Sequence, residues 1–135
     1  MILTDAGPLV AIIDRDDPDH DACVSALSSL RGPMVTTWPA FTEAMYLLGR
    51  GGWPPQSHLW RLLLSGRLEA ADPEESPASR LAELMERYSD HPMDLADASL
   101  VALAESRNVQ QIFTLDRSDF GSYRIRGRKP FHVIP

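Results

Sequence analysis

Four acidic residues stand where chemistry could be done: Asp5, Glu43, Asp97 and Asp116. Each adjoins an apolar stretch, at a point where a strand should end or a helix begin. Asp97 is the sharpest case. It lies in Leu95-Ala96-Asp97-Ala98-Ser99-Leu100-Val101-Ala102-Leu103-Ala104, whose other members are apolar apart from Ser99. A carboxylate in such a helix needs a partner, because burying an unpaired charge is costly or forces its pKa to shift. Several convergent carboxylates repel one another, and some stay protonated unless a positive charge sits among them. Mg²⁺ or Mn²⁺ supplies that charge and prefers oxygen ligands. A cation held by carboxylates suits phosphoryl chemistry, since it lowers the pKa of a bound water and neutralises charge on the phosphate. A zinc site is not indicated: His20, His58, His91 and His132 are scattered, and Cys23 is the only cysteine.

Each acid also has a plain structural reading. Asp5 can be a helix cap. Glu43 points away from the apolar stripe of its own helix, Phe41, Ala44, Met45 and Leu48, so helical geometry alone makes it a solvated side chain. Asp94 reads as an N-cap three residues before Asp97. Asp97 itself could belong to a buried ion pair or serve as a helix-start acid. Asp116 and Asp119 fall in a turn, where Asp is common for local hydrogen-bonding reasons. No single member is specific; the arrangement of all four is.

The elements that must position these acids alternate in type. Strands are expected at Met1–Thr4, Pro33–Thr37, Arg67–Ala71, Gln111–Leu115 and Phe131–Ile134. Helices are expected from Leu9 to Ile13, from Pro18 to Leu30, from Pro39 to Leu48, from Gln56 to Ser65, from Ala78 to Tyr88 and from Asp94 to Ser106. Trp53-Pro54-Pro55 reads as a stiff connection, and Asp90-His91-Pro92 as a helix break. Short apolar strands alternating with helices imply crossovers and an α/β fold: a mostly parallel central sheet with helices on both faces, in three α/β/α layers. In such sheets ligands bind beyond the carboxyl ends of the strands. Asp5 and Asp116 directly follow strands and belong at that edge.

Composition sets the bounds. A chain of 135 residues predicts one domain, with 44% hydrophobic and 24% charged residues suited to a globular protein. No apolar run reaches membrane-spanning length, and Asp5 interrupts the start where a secretion signal would be apolar. With its single cysteine, the chain is expected to be cytoplasmic. The net charge of −6 argues against strong non-specific binding to nucleic acid. It does not exclude a polyanionic substrate met through a bound cation. Arg124, Arg126, Arg128 and Lys129 cluster near the C-terminus, as an RNA-facing patch or a solvated basic loop.

These motifs resemble the PIN-domain family, and within it the VapC-like toxin ribonucleases of toxin–antitoxin pairs. The resemblance spans residues 1–135. Ile2-Leu3-Thr4-Asp5-Ala6-Gly7-Pro8 resembles the family's first strand, first acid and following helix. Thr36-Thr37 with Glu43 resembles the segment of the second acid, and Leu95-Ala96-Asp97-Ala98 that of the third. Thr114-Leu115-Asp116-Arg117-Ser118-Asp119-Phe120 is similar to the late strand–turn motif. Gly7 departs from the polar residue common after the first acid. The resemblance implies cleavage of RNA, such as tRNA or another structured RNA, dependent on Mg²⁺ or Mn²⁺ and using a water that attacks in line. Asp5, Glu43, Asp97 and Asp116 would hold the metal, with Thr114, Asp94 and Asp119 in support. Arg117 and the Arg124–Lys129 cluster would guide the RNA. It further implies a homodimer and a cognate antitoxin, for which Tyr46, Leu47, Trp53, Leu59, Trp60 and Leu63 are the candidate contact surface, at least half of it expected to be core. The competing reading is a catalytically silent PIN-like module that binds RNA or protein. A phosphorelay receiver is disfavoured because Asp5 stands alone and Lys129 precedes the last strand. A haloacid-dehalogenase-type phosphatase would need an Asp where Gly7 stands.

Overall fold

The computed structural model describes residues 1–91 and 93–135. Pro92, part of the expected helix break, lies outside the described residues. The chain runs β1 (Ile2–Thr4), α1 (Ala6–Ile13), α2 (His20–Ser29), β2 (Met34–Thr36), α3 (Trp38–Leu48), α4 (Trp53–Leu64), β3 (Leu68–Ala70), α5 (Ala78–Arg87), α6 (Leu95–Arg107), β4 (Gln111–Phe113), α7 (Arg117–Ser122), β5 (Arg124–Ile125), β6 (Lys129–Pro130) and β7 (His132–Ile134). The main sheet has the order β3-β2-β1-β4-β7 and is parallel throughout. A small antiparallel ribbon pairs β5 with β6.

Strand side chains alternate between the two faces, and each face has its own apolar layer. Leu3, Val35 and Ile112 point to the side covered by α5, α6 and α7. Ile2, Met34, Leu68 and Phe113 point to the side covered by α1 to α4. This is the three-layer α/β arrangement expected from the alternation of elements. At the centre of one layer lies α6, in which every residue from Ala96 to Ala104 is buried. Its small alanines let the helix approach the sheet, while Leu100, Val101 and Leu103 fill the gaps. Asn108 ends it in the left-handed conformation.

Local chemistry accounts for the departures from expectation. Helix α4 starts at Trp53, not Gln56, because Pro54 and Pro55 fall in its first turn, where no N–H is needed. The segment after Asp116 is a short helix rather than a turn: Asp116 Oδ1 accepts from Asp119 N and starts it. The expected basic loop is the β5–β6 hairpin, turned through Arg126 (φ 52°) and Gly127 (φ 70°). Outside the sheet, Arg107 at the end of α6 grips both Glu69 on β3 and Glu75, and Arg80 on α5 grips Glu105. Among the described residues, no helix is long and apolar enough to cross a membrane.

Truncating the buried helix should be costly where truncating a surface leucine is not. Leu100 is fully buried and Leu64 is 81% exposed. Urea titration should find Leu100→Ala destabilised by about 2–5 kcal/mol and Leu64→Ala by less than about 0.5 kcal/mol. Equal losses would contradict this placement of the core.

Candidate active site

The order of strands places the site. From β1 the chain moves outward to β2 and β3, while β4 and β7 lie on the other side. The carboxyl ends of β1 and β4 therefore flank the crevice at which parallel sheets bind ligands. Asp5 follows β1 there, its N–H donating to the Phe113 carbonyl at 2.9 Å. Its carboxylate is tied down twice: Oδ1 accepts from Ala6 N and Oδ2 from Thr114 Oγ1, both at 2.8 Å. Thr114 Oγ1 also accepts from Asp116 N, so one hydroxyl joins the acids that follow the two strands.

Asp97 arrives from α6. Asp94 caps that helix by accepting from Asp97 N at 2.8 Å. Asp97 is 9% exposed, and its Oδ2 accepts a hydrogen bond from the Tyr123 hydroxyl at 2.9 Å. Thr37, the N-cap of α3, shares a 2.6 Å hydroxyl contact with Ser99 on α6. That contact fixes the helix carrying Glu43 against the helix carrying Asp97.

Asp5, Glu43, Asp94, Asp97, Asp116 and Asp119 line one cavity of about 390 Å³, together with Ala6, Gly7 and Leu115. All four leading candidates are thus brought together, and both supporting acids with them. Glu43 is exposed, as its own helix implies, but the exposed side of α3 is the cavity's rim. Gly7 fits a tight spot, since a side chain there would press on Leu115 at 3.3 Å. No Lys or Arg lines the cavity. His91 lies against these acids, its Nε2 meeting Asp119 Oδ1 at 2.8 Å.

The electrostatics follow from this crowding. Burial, and then the neighbouring Asp94, push Asp97 up to about 7, with the Tyr123 hydrogen bond working the other way. Burial likewise raises Asp5, against the opposing bonds from Thr114 and Ala6. Glu43 is raised by burial and by Asp94 and Asp5, and Asp116 by burial and Asp119. Among the described residues, no three of these side chains already close on a shared point as ligands would. Their donor chemistry nonetheless fits a hard divalent cation: oxygen only, anionic, and with no Lys or Arg in the lining to compete for them.

Two residues of this neighbourhood were not anticipated. Tyr123 gives no sequence signal, as a lone aromatic after a polar turn. His91 was set aside with the other histidines because no partner stood at metal-ligand spacing. The basic candidates divide. Arg124 donates to the Gly121 and Tyr123 carbonyls, and the exposed Arg126 to the Glu105 carbonyl, so both guanidinium groups are engaged by backbone carbonyls of the fold. Arg117, Arg128 and Lys129 are exposed. Of the expected contact surface, Leu59 is core, Leu47, Trp60 and Leu63 are half-buried, and Tyr46 and Trp53 are exposed.

Known proteins agree with this architecture. The family model described as the PIN domain matches residues 2–124. Ribonuclease VapC26 of Mycobacterium tuberculosis is 30% identical over 135 residues, which cover 99% of this chain and 100% of that protein. The crystal structure of VapC20 from Mycobacterium tuberculosis, described as a Sarcin-Ricin loop cleaving toxin, superposes with a TM-score of 0.77 at 18% identity, over 87% of this chain and 92% of its own. A toxin–antitoxin complex from Klebsiella pneumoniae gives 0.68 at 20% identity, over 100% of this chain and 97% of its own. At those identities the two structures speak to the fold, and the sequence matches speak to descent. The chain belongs to the PIN domain family, among its VapC-like members.

Proposed function

We propose that this protein is a metal-dependent endoribonuclease toxin that hydrolyses RNA phosphodiester bonds in the cytoplasm and is held in check by a cognate antitoxin. The observation that carries the reading is the ring of six carboxylates around one cavity at the carboxyl edge of the sheet, with no basic side chain in its lining. The kinship with Ribonuclease VapC26 supports the reaction class, and the fold shared with a toxin–antitoxin complex is in keeping with a protein partner.

In this reading Asp5, Asp97, Glu43 and Asp116 hold the cation. Asp94 and Asp119 add negative charge around them. A bound Mg²⁺ or Mn²⁺ supplies positive charge opposite the phosphate and lowers the pKa of a water ligand. The protein's own part is orientation. Thr114 and Ala6 fix Asp5, while the Thr37–Ser99 contact holds α3, and with it Glu43, against α6. Asp97 must give up its proton before it can act as a ligand. Arg117, Arg128 and Lys129 are free to meet the RNA backbone. The exposed Trp38, Tyr46 and Leu95 form an apolar surface that shares Glu43 and Asp94 with the acid ring. We assign that surface to the homodimer contact.

A catalytically silent binding module is the rival. A complete ring argues against it, because an inert fold has no use for mutually repelling acids. Incubated with tRNA and other structured RNAs in Mn²⁺, the wild-type chain should cut. Asp97→Asn and Asp5→Asn should lose at least about 100-fold in rate while keeping their circular dichroism spectra. Binding without cutting across the whole panel would favour the module. For the dimer, Tyr46→Asp combined with Leu95→Asp should shift the sedimenting species from dimer to monomer. A wild-type chain that sediments as a monomer at high concentration removes the assignment.

The raised carboxyls also fix a pH dependence. Asp97 titrates near 3.8 when unfolded and near 7 when folded, so between those values the folded chain binds more protons. Stability from this group is present below about pH 4 and declines as pH rises toward 7. In a chelator, the melting temperature should therefore fall from pH 5 to pH 7.5, and Asp97→Asn should flatten that fall. Added Mn²⁺ should raise the melting temperature more at pH 7.5 than at pH 5, because protons compete for the same oxygens. A Mn²⁺ effect equal at both pH values would count against the acid ring as the binding site.

A further inference from the structure

Tyr123 lies outside the acid ring and yet reaches it. It directly follows α7, is fully buried, and donates its hydroxyl to Asp97 Oδ2 at 2.9 Å. Asp97 Oδ1 has no hydrogen-bond partner among the described residues, and no buried side-chain oxygen among them lacks one, so Oδ1 must be open to the cavity that Asp97 lines. One oxygen of this carboxylate is tied to protein and the other is presented.

The donor itself cannot swing. Its ring is met edge-on by Tyr88, Phe120 and His91, with centroids at 5.0, 5.1 and 6.0 Å. Its backbone N–H is held by the Asp119 carbonyl at 3.0 Å. Tyr88 in turn receives Arg124 N on its own hydroxyl at 3.1 Å. Burial and the adjoining Asp97 raise the Tyr123 phenol, so it stays protonated and stays a donor. An aromatic cage built around one hydroxyl, aimed at one carboxylate oxygen, does more than fill space: it sets the direction in which the free oxygen points.

We propose that Tyr123 is a positioning residue of the candidate cation site: its hydroxyl pins Asp97 Oδ2, orients Oδ1 toward a divalent cation, and thereby sets the affinity for that cation. This inference rests on the cation site proposed above. Groups that orient ligands from outside the coordination sphere commonly govern affinity by one to two orders of magnitude.

The test compares full-length wild type with Tyr123→Phe, Tyr88→Phe and Asp97→Asn. Mn²⁺ affinity is read by isothermal titration calorimetry, and again from the Mn²⁺ dependence of the melting temperature, which reports on the folded fraction even in a weakened variant. Tyr123→Phe keeps the ring and its edge-on contacts, and should bind Mn²⁺ about 10-fold more weakly or worse. Its melting temperature in chelator should stay within a few degrees of wild type. Tyr88→Phe removes a hydroxyl of the same cage that touches no acid, and should keep wild-type affinity. Wild-type affinity in Tyr123→Phe, with binding lost in Asp97→Asn, overturns the inference and leaves the cation site standing. Equal losses in the two Tyr→Phe variants also overturn it, since the cage as a whole would then matter and not the one hydroxyl. A Tyr123→Phe chain that folds in neither chelator nor saturating Mn²⁺ makes the hydroxyl a folding element and overturns it too. Absence of Mn²⁺ binding by wild type removes the cation site and this inference together.

Discussion

Six carboxylates around one hollow repel each other, and the rest of the molecule is arranged to hold them there. The resistance to ionisation is visible in Asp97, pushed up to about 7 by burial, and in Asp5, Glu43 and Asp116, each raised from its ordinary value by loss of water and by neighbouring acids. Such a ring stays in place only if the backbone beneath it cannot yield. The parallel sheet supplies that base. Asp5 is fixed at the end of β1 by a neighbouring strand, and Thr36 Oγ1 reaches across from β2 to the Thr4 carbonyl at 2.7 Å. Asp97 is fixed by a helix buried along nine consecutive residues, Ala96 to Ala104. A helix packed that closely cannot rotate to carry its one buried acid into solvent.

The disposition of the arginines is the complement of this. Arg107 is spent on Glu69 and Glu75, and Arg80 on Glu105 and Glu83. These pairs tie β3, α5 and α6 together away from the cavity, and they draw Glu69, Glu75 and Glu105 below the usual carboxylate range. The same residue types therefore have opposite fates within a small fold. Acids beside arginine are satisfied, and acids beside other acids are raised toward protonation. His91, beside the ring, offers partial relief, meeting Asp119 Oδ1 and drawing Asp116 downward. Selection for structure alone would place an arginine among such acids, because an unpaired buried charge is costly.

What could be read in advance followed from periodicity. The alternation of apolar strands with helices carries the α/β class, and the apolar run around Asp97 marks it as anomalous in its helix. Glu43 was opaque to the same logic. Its own helix turns it outward, and only the tertiary placement of α3 against α6 makes that outward side the rim of the cavity. The segment from Asp116 to Ser122 was too short for periodicity, so its helix went unread, although the capping contact between Asp116 and Asp119 is local. The β5–β6 hairpin was missed because Arg126 takes the positive φ usually given to Asn, Asp or Gly. Tyr123 was beyond reach for another reason: its partner lies 26 residues away on another helix, and no local pattern encodes that meeting.

The overall acidity of the chain looks at first like an obstacle to an RNA substrate. The chain carries 19 acidic and 13 basic side chains, and six of the acids line the cavity. Leave those six out and thirteen acids are matched in number by thirteen Lys and Arg side chains, so the formal excess equals the six acids of the cavity, reduced there by the protons that the raised carboxyls retain. Elsewhere acids and bases are equal in number, with Asp14, Asp16, Asp17, Asp19 and Asp21 gathered around the α1–α2 connection, and salt screens individual charges over about 8 Å. A polyanion approaching the hollow is opposed there by the six acids that line it. The cation proposed for this site would cancel repulsion where the phosphate would come closest. With six acids gathered at the site, occupancy by the proposed cation would weigh directly on whether RNA is repelled or admitted.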